Sequence, residues 1–304
     1  MSDFSIHTLG CGSAKPSLRH QPSSTVVNYR GNLYMVDCGE GAQLAFMKQR
    51  LSFSRLRHIF LTHLHGDHIF GLPGLIGTLA LSGNGGQITI HTFKEGKEQL
   101  GRIFDYFCRD TPFDIQFNVI KPEEAVIMEN NVLRVRTIPL KHRIPTVGFV
   151  FEEKPKERHI LPEMTNKYNV PVSWMRRLKG GRDYIREDGL IIPNELLTSD
   201  PSPSYSYAHI SDTKYMPELA EKIGPVDLLF HETTYLDSHL SEAAPRGHST
   251  AKQAAMVARD AGAKALLTGH YSSRYNDDLP FLTEAREIFP NVILNREGLV
   301  TTIY

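Results

Sequence analysis

Short β-branched apolar runs alternate with amphipathic stretches along the chain, the pattern of an α/β protein. Residues 4–9 (FSIHTL), 24–29 (STVVNY) and 32–37 (NLYMVD) read as strands, the last two forming a hairpin across Arg30-Gly31. Asp37-Cys38-Gly39-Glu40-Gly41 then turns into a helix expected over 42–50. The run HIFLT, 58–62, reads as a buried strand that delivers the chain into HLHGDH. Helices are expected at 74–81 and 96–108, the second with Leu100, Ile103, Phe104 and Phe107 on one face. Strands are expected at 88–92 and near 113–120, 125–129, 132–138 and 146–151. Further on, strands at 205–210, 226–230 and 264–268 each run into polar residues. The Ala-rich helix 250–261 has Ser249 or Thr250 as its N-cap and Gln253 as a capping-box partner. A helix near 281–289 and short strands at 291–294 and 298–303 close the chain.

One stretch breaks this order. The window 167–186 holds Lys167, Arg176, Arg177, Lys179, Arg182 and Arg186 against a single acid, Asp183, together with Gly180-Gly181 and the only tryptophan, Trp174. Such a segment adds little to a central sheet and reads as an insertion, about 152–204, within one domain spanning 1–304.

Composition narrows the setting. With 304 residues the chain can bury a large core without staples. Three cysteines make no disulfide framework and point to a reducing compartment. The N-terminus lacks the apolar core of a signal peptide, and no run of 18 apolar residues offers a membrane span, so a cytoplasmic protein is expected. Lys plus Arg and Asp plus Glu each number 34, a balance that neither supports nor excludes a nucleic-acid partner. The 14 histidines change the picture more, because several sit in tight polar clusters.

The densest cluster is His63-x-His65-x-Asp67-His68, directly after a buried strand. Imidazoles and a carboxylate are ligands suited to zinc. Alternate residues of an extended segment share a face, so His63 and His65 can bind one ion, while Asp67 and His68 suit a loop around a second, with Gly66 allowing a tight turn. His142, Asp212 and His270 follow other strands, and ligands at strand ends converge on one sheet edge. Two zinc ions about 3.5–4 Å apart clamp the oxygens of a phosphoryl group, with Asp212 as the bridging carboxylate and Asp67 as both ligand and base. His231-Glu232 and His248 form a second tier. His248, at a helix start, can face a phosphate and protonate a leaving oxygen, with Glu232 fixing its ring. His7, His20, His91, His159, His209 and His239 lack comparable context and read as structural or exposed.

HLHGDH resembles the metal-binding signature of the metallo-β-lactamase superfamily, which implies a four-layer αβ/βα sandwich, here with an inserted flexible arm. The other motifs are Gly10-Cys11-Gly12-Ser13, Val36-Asp37-Cys38-Gly39-Glu40-Gly41, Phe60-Leu61-Thr62, Leu140-Lys141-His142 and Ser211-Asp212-Thr213. They continue through His231-Glu232-Thr233-Thr234-Tyr235, Gly247-His248-Ser249-Thr250 and Gly269-His270-Tyr271-Ser272-Ser273-Arg274-Tyr275. Together they are similar, end to end, to the short form of the ribonuclease Z family, the tRNA 3′-processing endoribonucleases.

That resemblance implies one zinc on His63, His65, His142 and Asp212, and a second on Asp67, His68, His270 and the shared Asp212. It implies Asp67 as general base, with His248 and Glu232 serving proton transfer to the leaving 3′-oxygen. It also implies a homodimer acting on precursor tRNA after the discriminator nucleotide, with the insertion as a tRNA-gripping arm in which Trp174 is either internal packing or a stacking platform. The stretch Pro16-Ser17-Leu18-Arg19-His20-Gln21 departs from a Pro-x-Lys-x-Arg-Asn loop of bacterial relatives that contacts the acceptor end. The alternative is a phosphodiesterase of the same superfamily acting on small or cyclic phosphodiesters.

Overall fold

The computed structural model describes residues 4–83, 86–109 and 111–304. Two seven-stranded sheets dominate it. In spatial order the first consists of Val300–Thr302, Phe4–Gly10, Ser24–Tyr29, Asn32–Val36, Leu56–Phe60, Gly86–Thr92 and Phe113–Val119. The second consists of Val292–Ile293, Ala265–Leu267, Leu228–His231, Ser206–Ile210, Thr146–Glu153, Leu133–Leu140 and Ala125–Glu129. The sheets face each other across aromatic side chains. Phe60 of the first lies 5.3 Å from Phe149 and 5.4 Å from Phe151 of the second, centroid to centroid.

Helices cover the outer faces. On the first sheet, Phe46, Leu75, Leu79, Leu100 and Phe104 bury against Val26, Met35, Ile59 and Ile90. On the second, Leu219, Ala254, Ala258 and Phe281 bury against Ala208, Leu229 and Leu266. The result is the expected four-layer αβ/βα sandwich. The helix Lys94–Phe107 meets its expected span, but its buried face is Leu100 and Phe104; Phe107 is 74% exposed. The helix Ala251–Ala261 has Thr250 as N-cap, and the Thr250–Gln253 capping box is complete.

The second sheet explains why functional candidates gather. Ser206–Ile210, Leu228–His231, Ala265–Leu267 and Val292–Ile293 are parallel neighbours, so their C-terminal ends share one edge. Among the described residues no helix is long and apolar enough to cross a membrane.

Residues 129–134 and 152–204 form a separate compact unit. Its small core contains Val170, Leu178, Tyr184, Ile192 and Leu197. Trp174 packs edge-on against Tyr184 at 5.1 Å, with the Arg177 guanidinium 4.7 Å from its ring centroid. The six basic residues of the window 167–186 are all exposed.

Candidate metal centre

The strand expected at 58–62 ends at Phe60, so Leu61–His65 leaves the sheet before the short helix Gly66–Ile69 begins. Asp67 and His68 therefore sit on a helical turn, not a loop. Gly66 has no left-handed backbone; a Cβ there would meet the exposed Phe70 ring at 2.2 Å, so a side chain at 66 requires that ring to turn away. Strand ends supply the rest: His142 after Leu140, Asp212 after Ile210, and His270 after Leu267.

All seven metal-ligand candidates converge. His63 Nε2 lies 3.0 Å from His65 Nδ1, which lies 3.2 Å from His142 Nε2. Asp212 Oδ2 is 3.7 Å from His63 Nε2 and 3.8 Å from His142 Nε2. The other oxygen, Oδ1, is 3.6 Å from His68 Nε2 and 3.2 Å from His270 Nε2. Asp67 Oδ2 is 3.6 Å from both of these nitrogens. Asp212 thus turns one oxygen to each of two donor groups.

The imidazole tautomers follow from the partners on the far side of each ring. Thr62 donates its hydroxyl proton to Asp37 at 2.8 Å, so its oxygen accepts from His63 Nδ1 at 3.0 Å. Asp37 accepts from His68 Nδ1 at 2.7 Å, and the Gly247 carbonyl accepts from His142 Nδ1 at 2.8 Å. Thr234 donates to Glu232 at 2.5 Å and accepts from His270 Nδ1 at 2.8 Å. Each of these four rings therefore turns Nε2 to the centre and, in its neutral form, presents a lone pair there.

These donors fit metal ions on two grounds. His68 Nε2 and His270 Nε2 are buried with no hydrogen-bond partner, a costly arrangement without a cation. His63 Nε2 and His142 Nε2 both point at His65 Nδ1, at 3.0 and 3.2 Å, and a single proton there serves only one of them, whereas a cation takes all three nitrogens. Four ligands placed tetrahedrally about 2.0–2.2 Å from zinc stand about 3.3–3.6 Å apart, close to the separations found here. The donors form a centre for two metal ions that share Asp212.

Charge agrees. Burial lowers the pKa of His63, His65 and His142, keeping the rings neutral as ligands. At His68 burial opposes protonation, but Asp37 and Asp212, with Asp67, outweigh it and raise the pKa to about 10. That excess of carboxylate is what a bound cation neutralises. Asp37 and His270 both hold left-handed backbone, with φ of 57° and 61°. Strain of this kind persists where surrounding bonds over-determine it.

Beside the donors, Glu232 is fully buried and accepts from Thr213 N, Ser249 N, Thr234 N and its hydroxyl, and His248 Nδ1, the last at 3.0 Å. Burial opposes a charge on His248, yet Glu232 and Asp212 raise its pKa to about 9. His248 precedes the N-cap Thr250 by two residues, between two helices. His231, grouped with it in the sequence reading, instead bonds the Glu232 carbonyl at 2.8 Å and touches neither His248 nor the donors among the described residues. Of the other histidines, His91 and His209 are buried between aromatic rings, while His20 joins Asp278 and Glu297.

Sequence reasoning gave no role to Asp37, Thr62 or Thr234, the residues that fix the imidazoles. Asp37 stands in the Val36–Gly41 motif, which was the available signal. A cleft of about 890 Å³ opens over the centre and is lined by Asp67, Asp212, His248 and His270 with Arg143, Arg246 and Arg274.

A family model described as anti-Pycsar protein Apyc1 matches residues 4–161, and one described as a beta-lactamase superfamily domain matches 200–271. A ribonuclease Z of Parabacteroides distasonis is 48% identical over 300 residues, covering 98% of this chain and 99% of its own. A ribonuclease Z of Bacteroides fragilis is 45% identical over 304 residues, the full length of both. The crystal structure of human tRNase Z, short form, 24% identical, shares the fold with a TM-score of 0.70 over 99% of each chain. With identity of this order along its whole length, the chain belongs to the ribonuclease Z family of the metallo-β-lactamase superfamily.

Proposed function

We propose that this protein is a zinc-dependent endoribonuclease that removes the 3′ trailer from precursor tRNA, cutting after the discriminator nucleotide to leave a 3′-hydroxyl. The observation that carries the reading is the pair of donor groups sharing Asp212, set against the His248–Glu232 pair. In this reading His63, His65, His142 and Asp212 hold one zinc, and Asp67, His68, His270 and Asp212 hold the other. Two such ions lower the pKa of water and stabilise charge on the attacking and leaving oxygens of a phosphodiester.

The chain's own groups move the protons. Asp67 Oδ2 is fixed by the Ala14 N–H at 2.7 Å and turned to the donors, while Oδ1 has no hydrogen bond among the described residues. Oδ1 accepts the proton of the attacking water, which reconciles ligation with base catalysis in one carboxylate. His248 keeps Nδ1–H on Glu232 and, in its protonated form, presents Nε2–H to the leaving oxygen. The P–O3′ bond breaks, the trailer keeps the phosphate, and the tRNA 3′-oxygen takes the His248 proton.

The inserted segment 152–204 serves as a tRNA-binding arm. Lys167, Arg176, Arg177 and Arg182 are exposed and make no ion pair among the described residues, so they are available to phosphates. Recognition is of tRNA shape, not sequence. The protein acts as a homodimer, the arm of one subunit gripping tRNA at its partner's site. Its three free cysteines suit the cytoplasm.

The test is to map cleavage on precursor tRNAs with and without an encoded CCA, measuring zinc on the same sample. A single cut after the discriminator by protein holding two zinc ions is expected. Hydrolysis of a small aryl phosphodiester with no tRNA cleavage would instead favour a small-diester phosphodiesterase.

A further inference from the structure

Three arginines line the cleft, and they are not equivalent. Arg274 makes a two-pronged pair with Glu242, at 3.1 and 2.9 Å, and stacks over Tyr235. Arg246 pairs with the same Glu242 at 3.3 Å and donates to the Tyr235 hydroxyl. One carboxylate thus holds both. Arg143 is exposed and, among the described residues, makes no ion pair or hydrogen bond. The two residues before it are nevertheless well tied. Lys141 N donates to Thr213 Oγ1, Lys214 N donates to the Lys141 carbonyl, and His142 Nδ1 donates to Gly247. A fixed backbone carrying an unpaired guanidinium is a binding group waiting for an anion.

The local charge shows which anion. Four carboxylates surround the centre: the buried Asp37, Asp212 and Glu232 and the half-buried Asp67. Two divalent ions balance them. The Arg143 guanidinium then adds an unbalanced positive charge to the cleft that His248 also lines, while Glu40 stands exposed on its rim. A phosphodiester brings one negative charge, and attack by a deprotonated water raises the total to two.

We propose that Arg143 is a catalytic residue that binds a non-bridging oxygen of the scissile phosphate, on the same side as the leaving oxygen protonated by His248. The inference rests on the phosphodiesterase reading above and adds the group that holds the phosphate as charge accumulates. A planar guanidinium grips two phosphate oxygens at once, which a lysine ammonium does not.

The test compares the full-length protein with Arg143→Ala and Arg143→Lys, each verified to hold two zinc ions per chain. Hydrolysis of a small aryl phosphodiester by Arg143→Ala should fall about 10²-fold in kcat/KM, as for other single donors to a developing anion, with partial recovery in Arg143→Lys. Precursor-tRNA binding to the metal-stripped proteins, followed across a salt series, gives a second readout. The slope of log K on log salt should fall by about 0.7–0.9 in Arg143→Ala, the value of one phosphate contact. Wild-type hydrolysis with an unchanged slope overturns the proposal. Loss of zinc from Arg143→Ala overturns it too, since the residue would then support the centre rather than the substrate. If the wild type cleaves the aryl diester but not tRNA, the substrate reading fails, while the hydrolysis comparison still decides the role of Arg143.

Discussion

Two clusters in this chain bring together the same kinds of ligand, one at the sheet edge around Asp212 and one at Cys11, His20 and Glu297. Both place possible ligand atoms within 4.8 Å of one another. Their bonding differs. In the second cluster His20 sits between two carboxylates, with Nε2 on Asp278 at 2.9 Å and Nδ1 on Glu297 at 3.1 Å. Arg19 adds a bond to Asp278 at 2.8 Å, and Gln21 N donates to Glu297 at 2.9 Å. A protonated His20 and Arg19 balance the two acids, and only Asp278 Oδ1 lacks a partner. Burial and Glu297 hold the Cys11 thiol well above its ordinary pKa, so it does not supply thiolate. Around Asp212, by contrast, bare Nε2 atoms converge and carboxylates are in excess. A metal centre is recognised by what its donors lack.

The largest effect should come from the shared carboxylate. Asp212→Ala should leave less than two zinc ions per chain and lower cleavage by about 10⁴-fold or more. A variant that kept both ions would break the contrast at its centre. His248→Gln should cost about 10²–10⁴-fold in rate while zinc content stays at two, since it acts on the proton and not the ions. Zinc loss in that variant would make His248 a ligand.

Asp37→Asn sharpens the contrast from the second tier. Asp37 orients His68 and accepts two bonds from Thr62, so its loss should weaken zinc affinity about 10–100-fold, read by chelator competition. Unchanged affinity would mean that His68 is oriented by packing alone.

These residues also mark how far the sequence could be read. The cluster His63–His68 was legible because four ligands fall within six positions after a strand, and His142, Asp212 and His270 because strand ends in a parallel sheet share an edge. The Thr250–Gln253 capping box was legible because it is local. The roles of Thr62 and Thr234 were not, although both stand in motifs, because residue type does not show that a hydroxyl relays between a carboxylate and an imidazole. The left-handed turns at Asp37 and His270 likewise leave no mark on residue type. His20 read as structural or exposed because its partners Asp278 and Glu297 lie 258 and 277 positions away. Arg19, in the Pro16–Gln21 stretch, is tied to Asp278 and the Tyr275 carbonyl.

The smallest effect tests the second cluster on its own terms. Bonds to Asp278 and Glu297, opposed by burial, raise His20 from 6.5 to about 9. A raised folded pKa means that the ion pairs stabilise the fold in full below about pH 6.5 and lose that contribution as pH climbs through 9. With solvent screening at this partly open site, the stabilisation is on the order of 2 kcal/mol, or about 3–6 °C in Tm. His20→Gln, metal-loaded, should therefore melt lower than wild type at pH 6, and the two curves should converge by pH 10. Zinc content should remain two per chain in both. Parallel curves would show that His20 contributes packing and no charge. A drop in zinc content would place a third metal ion where the bonding shows a closed ion-pair network.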